Sequence, residues 1–293
     1  MNETDHRVRM PDMRKPIDPP VPPGKHVVDV LIEERARWLR YTGPLWLLIK
    51  AFLFPVLKYR EAIQLADRIG PMAGKDILDL MSRDLELDVR VEGLEHVPAS
   101  GRVIIAPNHP TGIVDGIAVY DALCRVRRDI SFFANRDALR IAPRLRECLI
   151  PVEWVPEKRS VAKTKDLLYR AQESFAANEA VVLFPSGRIA RLTSSELKEQ
   201  AWLPAVVTFA RKYKAPIVPL GLSARNSWLY YFFDRFSSEL RDMTLFYELL
   251  NKKRQTFSLR FGPAIPVSEL EGEHHAVTER IRNHVVEDLV PRL

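Results

Sequence analysis

Residues 102–122, RVIIAPNHPTGIVDGIAVYDA, limit the folds open to this chain more than any other stretch. Val103, Ile104, Ile105 and Ala106 form a short unbroken apolar run, the pattern of a buried strand, and over 114–123 apolar residues recur at helical spacing. A strand that enters a helix through a turn shaped by Pro110 and Gly112 suits an open α/β sheet, which places its ligands beyond the carboxyl ends of its strands. His109 and Asp115 fall at that turn.

The rest of the chain repeats the alternation. Strands are expected near 87–91, 103–106, 130–134, 150–153, 180–184, 217–222 and 258–261, with helices over 114–126, 162–177, 203–213, 229–250 and 273–288. Strands interleaved with helices predict a mostly parallel central sheet flanked by helices, an α/β domain over 86–293. Before it, 26–85 reads as a helical extension, with helices at 27–40, 44–57, 61–69 and 75–85. Residues 1–25 are polar, crowded with Pro16, Pro19, Pro20, Pro22 and Pro23, and predict a disordered or extended arm. That terminus has no apolar core or cleavage signal, so no secretory targeting is expected.

The His/Asp pair suits a definite chemistry. A hydroxyl attacking a thioester sheds its proton as the new bond forms, and a neutral imidazole titrates in the right range to take it. A carboxylate on the other ring nitrogen fixes the tautomer and stabilises the imidazolium. His109 is therefore read as general base and Asp115 as its orienter. The same residues also suit a plain structural role, with His109 capping the turn and Asp115 a favourable acid in the first turn of the helix.

NHPTGIVDG, 108–116, resembles the first motif of the glycerolipid acyltransferase family, which includes the lysophosphatidic acid acyltransferases. Three more blocks stand in the family's order: VEGLEHVP (91–98), FPSGRIAR (184–191), similar to the family's FPEGTRSR, and APIVPLGL (215–222). The likeness spans roughly 86–265 and implies transfer of a fatty acyl group from acyl-CoA or acyl carrier protein, as co-substrate and without a cofactor, to a hydroxyl of a lysophospholipid or glycerol-phosphate-like acceptor. It further implies that Asn108, Thr111, Gly112, Pro185, Ser186 and Gly187 line the substrate site, with Arg188 and Arg191 clamping an anion and Arg159, in the faint second block 149–160, joining them. Backbone amides near Gly187 or Gly112 are the candidate oxyanion donors. The chain departs from the family pattern in three places. Five residues, not four, separate His109 from Asp115, an excess that glycine's freedom at 112 can absorb. Ser186 stands where the family block has Glu, and Arg188 where it has Thr.

Formal net charge is +6 and the pI about 9.3, which favours an anionic partner such as lipid headgroups, phosphate-bearing substrates or nucleic acid. No nucleic-acid module is recognised, and a membrane surface is preferred as partner. Residues 44–57, with Trp46, Leu47, Phe52 and Phe54 beside Lys50 and Lys58, are too short to span a bilayer; they fit either a helix in the membrane interface or a buried helix covering the sheet. Arg125, Arg127, Arg128, Arg136, Arg140, Arg144, Arg146, Lys158, Lys163 and Lys165 read mostly as solvated or membrane-facing charge. Cys124 and Cys148 suit a reducing cytoplasm, and Cys124 reads as structural. A cytoplasmic, peripherally membrane-associated enzyme is the resulting expectation.

Other functions remain open: a catalytically silent lipid-binding protein, a lipid hydrolase with Ser186 as nucleophile but without the G-x-S-x-G elbow, and metal-dependent phosphoester chemistry. The last is weak, because His109 and Asp115 are only two ligands, so no metal is expected.

Overall fold

The computed structural model describes residues 18–193 and 196–291. Helices α1 (Val27–Arg35), α2 (Pro44–Val56), α3 (Tyr59–Ile69) and α4 (Gly74–Leu85) come first. They lead into β1 (Asp88–Glu92), β2 (Val103–Pro107), α5 (Ile113–Leu123), β3 (Ile130–Asn135), the short α6 (Asp137–Ile141), β4 (Leu149–Val152), α7 (Val161–Ala176) and β5 (Ala180–Val182). A small antiparallel pair, β6 (Arg191–Leu192) and β7 (Leu197–Lys198), precedes α8 (Ala205–Tyr213), β8 (Ile217–Ser223), α9 (Trp228–Phe236), α10 (Ser238–Met243), α11 (Leu245–Leu250), β9 (Thr256–Phe261) and α12 (His274–Asn283). The last helix runs on as a π-helical turn, His284–Leu289.

Seven strands form one sheet in the order β1-β9-β8-β2-β5-β3-β4, with β2 at its centre. Every neighbouring pair is parallel except β8 and β9, which are antiparallel. Successive side chains of a strand point to opposite faces. Val103 and Ile105 accordingly enter one core with Ile77, Met81 and Ile117 of α4 and α5, while Ile104 and Ala106 enter the other with Phe175, Val206 and Ile281 of α7, α8 and α12. A strand buried on both faces needs apolar residues at every position, which is why the run at 103–106 does not alternate.

All seven expected strands form, and the helical expectations differ mainly in where they break. The helix expected over 229–250 is three. Ser237 adopts an extended backbone and its hydroxyl accepts from Leu240 N–H, so it ends α9 and caps α10; Thr244 separates α10 from α11. The first helix stops at Arg35 rather than 40. The Pro-rich arm lies largely outside the described residues. Its described end is anchored, with Asp18 paired to Arg136 at 2.8 Å.

Helix α2 answers to neither reading of 44–57 alone. Trp46 and Leu57 are buried in a cluster with Val28, Ile32, Ala62 and Met243, and Trp46 meets Phe54 edge-on at 6.3 Å. Leu47, Leu48, Phe52 and Val56 face outward, Phe52 being 75% exposed. The basic run is also corrected: Arg127, Arg136 and Arg140 are almost wholly buried. Arg136 and Arg146 both grip Asp166, and against the upward push of burial their bonds hold its carboxyl below the usual range. Arg140 pairs with Glu34 at 2.9 Å, and Arg127 with Asp129 at 2.5 Å and the carbonyls of Pro98, Gly101 and Asn178. A guanidinium donates in five directions, so a loop-rich α/β domain can use it to satisfy buried carbonyls and acids.

Candidate active site

The site is built at the carboxyl end of β2, the middle of the sheet. Asn108 comes first and is a clamp: its Nδ2 donates to Leu222 O at 2.8 Å, and Leu222 N–H donates to its Oδ1 at 2.7 Å. These two bonds lock the end of β2 to β8 and fix where His109 leaves the sheet. The side-chain amide expected to line the substrate site is thus spent inside the fold.

The longer His–Asp spacing is taken up at Gly112, whose φ of +105° is open to glycine and strained for other residues. Beyond it α5 starts, and Asp115 in its first turn folds back over the loop. Its Oδ2 accepts from His109 Nδ1 at 2.8 Å, Thr111 N–H at 2.8 Å and Gly112 N–H at 3.0 Å, while Oδ1 accepts from the Thr111 hydroxyl. Asp115 is fully buried. A carboxylate can only accept, so the pairing assigns the ring proton to Nδ1 and leaves the Nε2 lone pair available. Among the described residues Nε2 has no partner. Thr111, expected on the substrate side, faces inward and helps to hold Asp115.

The main chain of His109 is gripped at both ends. Its carbonyl accepts from Ala190 N–H at 2.8 Å, and its N–H donates to Glu199 Oε2 at 3.1 Å. The ring lies on Phe184, centroids 4.2 Å apart. Glu199 was not anticipated. It lies in the polar run TSSELKEQ, 193–200, where nothing local distinguishes it from a surface acid. In the fold it is 5% exposed, its Oε1 accepting from Trp202 Nε1 at 3.1 Å. Burial pushes its carboxyl up, opposed by the bonds from His109 N–H and Trp202.

Ser186, Gly187 and Arg188 form the facing turn. The Ser186 hydroxyl is buried and donates to Arg188 O at 2.9 Å, with no imidazole nitrogen among its partners, which removes what a nucleophilic serine needs. Pro185 is buried too, and its carbonyl accepts from Leu203 N–H at 2.9 Å. Gly187 has φ +59°, and a Cβ there would lie 2.0 Å from the ring of Trp154, which therefore packs directly on the turn. Arg159 sits on the same loop as Trp154, its Nε donating to Glu153 O at 3.2 Å. Arg188 and Arg191 are exposed, and among the described residues neither has an acidic partner.

Of the backbone amides near these two glycines, their own are both engaged: Gly187 N–H with Phe184 O at 3.0 Å and Gly112 N–H with Asp115. The first-turn amides of Ile113 and Val114 find no acceptor among the described residues, as the first N–H groups of any helix do not within the helix itself. Burial pushes the phenol of Tyr231, on α9, up to about 12, and its oxygen accepts from Asn226 N–H at 3.0 Å. Among the described residues no three His, Cys, Asp or Glu side chains gather as a metal site.

Residues 88–223, which enclose this geometry, match the Acyltransferase family model. A lyso-glycine lipid O-acyltransferase from Phocaeicola vulgatus is 26% identical over 200 residues, covering 66% of this chain and 70% of its own length. The protein of the same name from Bacteroides thetaiotaomicron is 24% identical over 199 residues, 66% and 71% of the two chains. Among solved structures, the 1-acyl-sn-glycerophosphate acyltransferase PlsC from Thermotoga maritima superposes with a TM-score of 0.47 at 15% identity, over 87% of this chain and 94% of that one.

Proposed function

We propose that this chain, whose residues 88–223 match the Acyltransferase family model, carries an acyl group from a thioester donor to the hydroxyl of a lysolipid. The observation that carries this reading is the His109–Asp115 pair, one ring nitrogen tied at 2.8 Å and the other without a partner among the described residues, at the centre of the sheet. Both curated relatives are named for O-acylation of a lyso-glycine lipid, which favours a lysolipid acceptor.

In this mechanism the acceptor hydroxyl donates to His109 Nε2. As its oxygen attacks the thioester carbonyl the proton passes to the imidazole, and Asp115 supports the cation formed. The tetrahedral oxyanion is met by the first-turn amides of Ile113 and Val114, where the helix carries partial positive charge. Collapse breaks the C–S bond, and the leaving thiolate takes the proton back from His109. The products are an ester and a free thiol, with no cofactor consumed. Arg188 and Arg191, with Arg159 on the neighbouring loop, are assigned to the anionic part of acyl-CoA or acyl carrier protein.

The acceptor is itself an amphiphile, so the site must open at a lipid surface. No helix among the described residues is long and apolar enough to cross a membrane. We assign contact with the bilayer to the outward faces of α2, with Leu47, Leu48, Phe52 and Val56, and of α9, with Trp228, Phe232 and Phe236. Thiol release from long-chain acyl-CoA or acyl carrier protein in the presence of a lysolipid panel tests the reading. At least one pair is expected to turn over, and His109→Ala to lower the rate by about 10²-fold or more. A folded His109→Ala variant with ordinary turnover overturns it.

A further inference from the structure

We propose that Glu199 is a positioning residue for this reaction: entering from the chain after β7, its carboxylate fixes the main chain of His109 against the turn at Ser186. The inference rests on His109 being the base, and four observations carry it.

The first is geometry. Glu199 accepts from His109 N–H with Oε2 while lying beside Ser186, and so adds to the packing of the His109 ring on Phe184. With Ala190 N–H on the His109 carbonyl, this leaves the backbone of residue 109 no freedom to tilt, and so aims Nε2. The second is how firmly Glu199 is itself held. Trp202, 1% exposed, donates to Oε1 at 3.1 Å. From α12, Arg282 donates to the carbonyls of Glu199 at 3.0 Å and Gln200 at 3.2 Å.

The third is cost. Among the described residues no Lys or Arg side chain pairs with the Glu199 carboxylate, and its donors are two neutral N–H groups. A buried acid without a cationic partner destabilises a fold. Buried acids held without a cation gather at functional sites. The fourth is place. The sequence has Ser186 where the similar block has Glu, and the Glu199 carboxylate, delivered from further along the chain, lies beside it. Glu199 touches neither Nε2 nor the open side of the site, so it acts on where the base sits rather than on what binds.

Two variants of the full chain test this. Glu199→Met keeps the volume and loses the acceptor for His109 N–H; Glu199→Gln keeps an amide oxygen able to serve it. Glu199→Met is expected to lower kcat by about ten- to a hundredfold and to leave KM for donor and acceptor within about twofold. Glu199→Gln is expected to recover most of the lost kcat. Hydrogen exchange over residues 107–112 supplies a readout independent of turnover: protection is retained in Glu199→Gln and lost in Glu199→Met. Parental kcat and exchange in Glu199→Met, a loss confined to KM, or a Glu199→Gln variant no better than Glu199→Met overturns the proposal. A parent inactive with every thioester overturns the acyl-transfer reading instead, while the exchange result still decides whether Glu199 fixes His109.

Discussion

A single acid shows how burial changes what a residue is for. Glu199 and Glu196 sit three positions apart in the same polar run, yet Glu199 is 5% exposed and Glu196 lies at the surface. Burial raises the folded-state pKa of Glu199 above its ordinary 4.5, and the sign of the linkage follows. Below about pH 4 the group is protonated in folded and unfolded chains alike and contributes no pH dependence. As pH rises from about 4.5 the unfolded chain gives up its proton first, so the fold loses stability until the folded-state pKa is passed, and the penalty is constant beyond it. Melting curves of parent and Glu199→Gln between pH 4 and 8 should therefore diverge, the parent losing ground as pH rises through that window. Parallel curves across the whole range refute the raised pKa.

At the scale of elements, α2 carries two opposed jobs on one helix. Trp46 and Leu57 hold it to the N-terminal cluster, and Leu47, Leu48, Phe52 and Val56 are left on the other side. Side-chain position at a 3.6-residue period separates the two sets, so substitutions distinguish them. Leu47→Ser with Phe52→Ser should weaken co-sedimentation with anionic vesicles by about tenfold or more, given ~1.5–3 kcal/mol for each large apolar side chain withdrawn, at an unchanged melting temperature. Trp46→Ser should do the reverse, costing about 3 kcal/mol or more of stability by opening a cavity. Vesicle binding that survives the outward pair moves the contact from α2 to α9, whose Trp228 and Phe232 stack at 4.8 Å on the exposed side.

For the molecule as a whole, the proposed site is one His–Asp pair set in a helix-covered sheet, and among the described residues no three His, Cys, Asp or Glu side chains gather as metal ligands. Acyl transfer is therefore expected to persist after exhaustive chelation, measured as thiol release in EDTA-treated protein; activity restored only by a divalent ion would recast His109 and Asp115 as ligands. The sequence alone determined the sheet, because a strand covered on both faces has no choice but an apolar run, and such runs at 103–106, 180–184 and 217–222 announce themselves without knowledge of their neighbours. It also brought His109 and Asp115 together, since one turn of chain joins them. Ser237, an ordinary residue inside an apolar helical pattern, broke a helix that periodicity ran through, because its hydroxyl capped the next one. Only the tertiary structure decided which arginines are spent on Asp166 and Glu34, that Trp46 faces in while Phe52 faces out, and that Glu199 reaches His109. Those outcomes depend on which surfaces meet across long stretches of chain, and a residue's own neighbours in sequence carry no record of what will cover it.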